Sequence, residues 1–161
     1  MSSQVWQDRV RDAIAIFGHR NWVVVADSAY PAQIAPGIET IVAEEDPVEV
    51  LRWVLDHVNA APHISATVYT DAELPLVEEE DAPGVTAYRR ELEALLSPYT
   101  QLTLPHEEIL SRLDEAGRSF RILVVKSRMR IPYSSIFIQL GCGYWTDAAE
   151  RKLRASMLAL R

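Results

Sequence analysis

The chain has 161 residues, 48% of them hydrophobic and 24% charged, which is the composition of one ordinary globular domain. Its 16 basic and 23 acidic residues give a formal net charge of −7. This charge argues against a general binder of nucleic acid or anionic membranes, because such proteins need a positive surface. A single cysteine, Cys142, excludes an internal disulfide and a cysteine-rich zinc site. With no secretory signal pattern and no apolar run of about 20 residues, we expect a cytoplasmic protein.

The first half of the chain predicts a helix, two strands and a second helix. Apolar residues recur at helical spacing at Trp6, Val10, Ala13, Ile14 and Phe17, and Gly18 is typical of the position after a helix. The apolar, β-branched run WVVVA (22–26) is typical of a strand buried on both faces, and GIETIVA (37–43) alternates like a second strand. Asp46, followed by Pro47, predicts the capped start of a helix over 45–58.

The second half continues the alternation of strands and helices. Strands are predicted over 64–70, 100–104, 120–127 and 134–140, and helices over 85–96, 105–117 and 146–160. The acidic, proline-bearing stretch 71–84 is interpreted as a loop. This order indicates a three-layer α/β/α domain with a mixed, mostly parallel sheet of about six strands.

Polar side chains are concentrated where the predicted strands begin and end. His19 precedes the strand 22–26 and Asp27 follows it, His106 follows the strand 100–104, and Tyr133 and Ser135 lie before the last strand. Since ligands of open α/β sheets bind in crevices at strand ends, these five residues are candidates for one site.

Two segments that contain these candidates also resemble a known family, the D-ribose pyranases and L-fucose mutarotases. The segment GHRNWVVVADSAYP is similar to that family's Gly-His, apolar strand and Asp-Ala-x-x-Pro pattern. IPYSSIFIQLGCG is similar to its Pro-Tyr-x-Asn, apolar strand and glycine. The similarity runs over about residues 5–143 and predicts a family-like domain over 1–145, with 146–161 as a C-terminal helical extension of it.

The resemblance implies an isomerase that interconverts anomers or ring forms of a free monosaccharide such as fucose or ribose. It implies that His19 is the general acid/base and that Asp27, His106, Tyr133 and Ser135 bind the sugar. It further implies a homo-oligomer, commonly a decameric ring, in which a neighbouring subunit completes each site. Neither a metal nor an organic cofactor is expected, because imidazole, with a pKa near neutrality, suits both proton transfers of hemiacetal opening.

The sequence also departs from the family pattern. Ser135 stands where the family usually has asparagine, and Arg128 and Met129 stand where it tends to have glycine and glutamate. These differences keep two alternatives open: a sugar-binding or structural ring subunit without turnover, and an isomerase of acidic sugars that uses Arg128 and Arg130.

Four of the five candidate residues also have a purely structural interpretation. His19 is typical of the position beside a helix end, and Asp27 of an Asx turn. His106 fits an ordinary first helical turn, and Tyr133 a half-buried aromatic side chain. The family pattern favours the functional interpretation, most strongly for His19.

Overall fold

The computed structural model describes residues 2–161, with side chains described from Val5 onward. The strands are β1 (Trp22–Ala26), β2 (Ile38–Val42), β3 (Ile64–Asp71), β4 (Thr100–Leu104), β5 (Ile122–Lys126) and β6 (Ile136–Cys142). The helices are α1 (Ser2–Ile16), α2 (Pro47–Ala60), α3 (Val85–Leu96), α4 (His106–Ala116) and α5 (Asp147–Ala159). One 3₁₀ turn, Leu74–Leu76, lies in the segment predicted as a loop.

The six strands form one mixed sheet in the order β2-β5-β1-β6-β3-β4. Only β6 runs antiparallel to its two neighbours, β1 and β3, and the other adjacent pairs are parallel. The mixed, mostly parallel sheet predicted from the sequence is therefore confirmed. Five strands end, and β6 begins, at one edge of this sheet, which we call the carboxyl edge. The opposite edge is called the amino edge.

Helices cover both faces of the sheet, which gives the predicted three layers. Side chains of β1 alternate between the faces, as the two-residue period of a strand requires. Val23 and Val25 pack into a core shared with α1, α2 and α3, whereas Val24 packs with Ile109 and Leu113 of α4. Both faces of β1 are thus buried, and β1 holds its two ends at fixed positions in the sheet.

Local signals set the helix boundaries. The Asp46 side chain accepts hydrogen bonds from the backbone N–H groups of Val48 (2.9 Å) and Glu49 (3.4 Å), and Pro47 begins α2, as predicted. After α1, Gly18 follows the helix, but the left-handed residue of the turn is Arg20, with φ 73°. The turn is closed by the Asn21 side chain, which accepts from the Gly18 N–H at 2.8 Å.

The C-terminal helix α5 lies outside the core. The Thr146 hydroxyl accepts from the Ala149 N–H at 3.0 Å and caps the helix, but none of the α5 residues is buried. Leu153 and Met157 are exposed, as is Trp145 just before the helix. Between residues 2 and 161, no helix has both the length and the apolar character that crossing a membrane requires.

Candidate functional site

Asp27 and Ser135 meet at the carboxyl edge, where β1 ends beside the start of β6. Because β1 and β6 are adjacent and antiparallel, the residue after one lies next to the residue before the other. The Ser135 hydroxyl donates to Asp27 Oδ1 at 2.6 Å and accepts from the Asp27 N–H at 3.1 Å. Ser135 is only 1% exposed, so its hydroxyl hydrogen is committed to Asp27. It orients the carboxylate, which is itself partly exposed.

His106 lies at the same edge, at the start of α4, and is held by two carboxylates from the exit of β3. Its ring Nδ1 is 2.8 Å from Asp71 Oδ2. Its backbone N–H donates to both carboxylate oxygens of Glu73, at 3.0 and 3.1 Å. Glu73 thereby supplies the acceptor that the first N–H groups of a helix need. The main chain and the ring of His106 are both fixed by residues 71–73.

Tyr133 borders His106 on the solvent side. The two rings meet edge to face with centroids 5.5 Å apart, and the buried Phe137 ring lies 6.5 Å from His106. Tyr133 has a φ of 58°, a left-handed conformation that is uncommon for a bulky residue. The next residue is held by the buried Tyr88 hydroxyl, which donates to the Ser134 carbonyl at 2.6 Å. Such strain in a well-supported segment is typical of functional sites.

The buried end of the site is rich in acidic groups. Burial raises the pKa of Asp71 to about 6, an effect that His106 opposes and that the charges of Glu73 and Asp27 reinforce. Burial, followed by the charge of Asp71, also raises the pKa of Tyr30. Tyr30 therefore remains a neutral hydroxyl and donates to Gln33 Oε1 at 2.5 Å.

Four of the five predicted site residues are thus at one edge: Asp27, His106, Tyr133 and Ser135. His19 is not among them. It is exposed before the start of β1, at the amino edge, while Asp27 follows the end of β1. The five residues of β1 alone span roughly 16 Å at about 3.3 Å per residue. Within one chain, His19 and Asp27 therefore do not share a pocket.

The other two histidines have structural partners. The His57 ring stacks on Trp53 at 3.6 Å between centroids, and its Nδ1 is 2.7 Å from the Trp53 carbonyl oxygen. His63 Nε2 is 2.9 Å from the Ile14 carbonyl oxygen. The His57 contacts lie within α2, and the His63 contact joins the residue before β3 to α1. Their contacts explain their presence without ligand binding.

A cleft of about 330 Å³ lies between α3 and β4. Its walls are mainly apolar, with Leu74, Leu92 and Leu96 among them, and Asp71 forms part of its lining. His106, Tyr133 and Asp27 do not line it. The cleft therefore borders the candidate site through Asp71 without containing its other polar groups.

Sequence reasoning missed Asp71 and Glu73, because both fall in the stretch interpreted as an acidic loop. A signal was present: Asp71 directly follows an apolar strand, as Asp27 does, and parallel strands end at the same edge.

Comparison with known proteins places this geometry on a recognised scaffold. No family model matches the sequence, and no curated protein matches it by sequence. Among solved structures, RbsD of Bacillus subtilis complexed with D-ribose matches with a TM-score of 0.60 at 18% identity, over 83% of this chain and 91% of that one. The fucose mutarotase of Streptococcus pneumoniae, in complex with L-fucose, matches with a TM-score of 0.55 at 19% identity, over 81% and 89% of the two chains.

A third match, FucU from Bifidobacterium longum, has a TM-score of 0.55 at 16% identity and covers 83% of this chain and 92% of that one. The three comparisons confirm the predicted resemblance at the level of the three-dimensional structure. The chain has the fold of the ribose pyranase and fucose mutarotase structures.

Proposed function

We propose that the protein is a monosaccharide isomerase that interconverts the anomers or ring forms of a free sugar such as fucose or ribose. One observation carries the proposal. The Asp27 carboxylate, the His106 imidazole and the Tyr133 phenol all lie at the carboxyl edge of a fold that this chain shares with two sugar-bound proteins. Open α/β sheets bind ligands at the carboxyl ends of their strands, where these three side chains lie.

The chemistry of these groups suits a hemiacetal. Asp27, oriented by Ser135, accepts hydrogen bonds from sugar hydroxyls, and an ionised acceptor makes these bonds short and strong. His106 contacts the sugar beside it. Tyr133, which is 41% exposed, offers a ring face and a hydroxyl at the mouth of the site. Ring opening requires a proton acceptor at the anomeric hydroxyl and a proton donor at the ring oxygen, and neither step needs a metal or cofactor.

His19 acts in this proposal on a site of a neighbouring copy. Its exposure at the amino edge leaves it free to face another subunit, and β1 separates it from the site of its own chain. A homo-oligomer that brings the amino edge of one subunit to the carboxyl edge of the next would complete each site. This arrangement is that of a ring of subunits, the decameric ring included, and it keeps His19 among the residues that transfer protons to and from the sugar.

Two alternatives have specific observations in their favour. The single hydroxyl hydrogen of Ser135 is used by Asp27, whereas an amide at this position would have a second N–H left to donate to a sugar. This loss of a donor favours a sugar-binding subunit without turnover. Strand β5 also ends at the carboxyl edge, and Arg128 and Arg130 are exposed in the segment that follows it. Their positive charges favour an acidic sugar as the substrate.

Saturation-transfer NMR distinguishes the three functions. Exchange between anomers is measured on ribose, fucose, a uronic acid and a sugar phosphate, alongside calorimetric binding of each. Isomerase activity predicts exchange above the spontaneous rate that disappears in His19→Ala, with the assembled size unchanged. Binding without exchange on any sugar would support the binding subunit. Faster exchange on the uronic acid or phosphate than on neutral sugars would support the acidic-sugar isomerase.

A further inference from the structure

The buried Asp71 carboxylate forms a close pair with His106. Asp71 is 1% exposed and its Oδ2 lies 2.8 Å from His106 Nδ1. Its other oxygen, Oδ1, is buried without a hydrogen-bond partner among the described residues. A buried carboxylate oxygen without a partner destabilises a fold. A gain in stability therefore does not account for the buried carboxylate. Its contact with the His106 ring suggests instead that it acts on the chemistry of His106.

The contact determines which nitrogen of His106 carries the proton. An ionised carboxylate only accepts hydrogen bonds, so the proton between the two groups belongs to His106 Nδ1. In the neutral ring, the second nitrogen, Nε2, is then an acceptor with a free lone pair. The His106 side chain is 21% exposed, whereas Asp71 is fully enclosed. The ring thus has one nitrogen turned toward the protein interior and one left for a ligand.

The backbone of His106 is fixed independently of its ring. Glu73 accepts from its N–H, and Tyr133 lies edge-on against the ring. The remaining titratable groups that act on Asp71 are Asp27 and Glu73, and Tyr30 is buried within range of its charge. The Tyr30 hydroxyl already donates to Gln33, and the two carboxylates carry no proton to donate when ionised. Among the described residues, the side chain that contacts Asp71 Oδ2 and can donate to it is therefore His106.

We propose that Asp71 is a positioning residue that holds His106 in the Nδ1-protonated tautomer, and that Nε2 is the base for hemiacetal opening. The base role rests on the proposed function, whereas the tautomer rests on the geometry alone. Nε2 takes the proton of the anomeric hydroxyl, and the O–H electron pair becomes the second bond of the C1 carbonyl. The bond from C1 to the ring oxygen breaks, and that oxygen receives a proton from His19 of the neighbouring copy. Ring closure on either face of the aldehyde reverses these transfers.

The tautomer is measurable without any sugar. Long-range ¹H–¹⁵N spectra of the full chain labelled with [¹⁵N]histidine distinguish the two neutral tautomers, and His106→Gln assigns the signals. The native protein is expected to carry the proton on Nδ1. Asp71→Asn, whose amide can donate to Nδ1, is expected to shift the population toward Nε2–H. Glu73→Gln is the matched control, since Glu73 contacts the His106 backbone but not its ring, and it should leave the tautomer unchanged.

Turnover then tests the base role. For a sugar that the native protein converts, Asp71→Asn should lower kcat on the order of 10²- to 10⁴-fold, the range lost when a general base has the wrong tautomer, with KM changed much less. A native ring protonated on Nε2, or a tautomer insensitive to Asp71→Asn, would overturn the positioning role even if sugars are converted. An Nδ1-protonated ring with no turnover of any sugar would support the positioning role and overturn both the base role and the proposed function.

Discussion

Replacing Asp71 with asparagine should change the pH dependence of stability in a specific direction. Burial raises the pKa of this carboxyl from an ordinary 3.8 to about 6. At 1.36 kcal/mol per pH unit, that rise corresponds to roughly 3 kcal/mol of unfavourable free energy when the buried group is ionised. Asparagine has a similar shape and can still form a hydrogen bond with His106, but it carries no charge at any pH.

The sign follows from proton binding. Since the folded-state pKa lies above the unfolded one, the native protein binds the proton more tightly, and Asp71 favours folding most below about pH 4. This contribution is lost as the pH rises, and the loss is complete above about pH 6. The asparagine variant has no carboxyl group at this position, so it does not lose this stability as the pH rises. Its unfolding free energy, compared with that of the native protein, should therefore rise by roughly 2–3 kcal/mol between pH 4 and pH 8.

Urea denaturation at pH 4, 5, 6, 7 and 8 measures this difference, provided the slope with urea is the same for both proteins. Comparing the two proteins at each pH removes the contributions of the titrating groups that do not interact with Asp71. It also separates the pH-dependent term from the constant cost of burying the new amide. A difference that is flat with pH, or one that falls toward pH 8, would refute the reasoning.

Three further predictions concern the turn glycines, a helix cap and the assembly. Gly37→Ala should lower the unfolding free energy by about 1–3 kcal/mol or more, because the new methyl would lie 2.3 and 2.5 Å from backbone carbonyl oxygens. Gly18→Ala, where nothing lies within 4 Å, should leave the urea midpoint nearly unchanged. Asp46→Ala should cost about 1 kcal/mol in the same assay by removing the cap of α2, and no change would contradict the capping role. Co-assembling inactive His19→Ala and His106→Gln subunits in equal amounts should restore about a quarter of the native exchange rate if each site uses both subunits, and none if it does not.

Much of the fold was predictable because its boundaries have local causes. The predicted bounds of α3 (85–96), β1 (22–26) and β4 (100–104) agree with the structure. In each case a run of residues with one consistent hydrophobic pattern ends at a proline or a polar residue. The order of strands in the sheet was not predictable in this way. It depends on pairing between distant segments, such as β1 with β5, which no local pattern specifies.

In the candidate site, too, the contacts that a local sequence pattern indicates were predicted, and a contact between distant segments was missed. Asp27 and Ser135 were predicted as partners in one site from motif resemblance, and the antiparallel pairing of β1 and β6 gives the physical reason for their contact. Asp71 was missed because its neighbours in sequence are acidic and its functional neighbour, His106, is 35 residues away. The parallel pairing of β3 with β4 brings these two residues together. Only the length of β1 indicated that His19 belongs elsewhere.

The central claim is that the groups at the carboxyl edge open and close a sugar ring. The most direct test is the rate of anomer exchange of L-fucose and D-ribose by saturation transfer, compared between the native protein, His106→Gln and Glu108→Gln. Glu108 is an exposed residue of the same helix, paired with Arg112 at 3.4 Å, so its variant controls for changes in α4. We predict exchange above the spontaneous rate for the native protein and Glu108→Gln, and a loss on the order of 10²- to 10⁴-fold for His106→Gln. Native exchange that persists in His106→Gln would contradict the account.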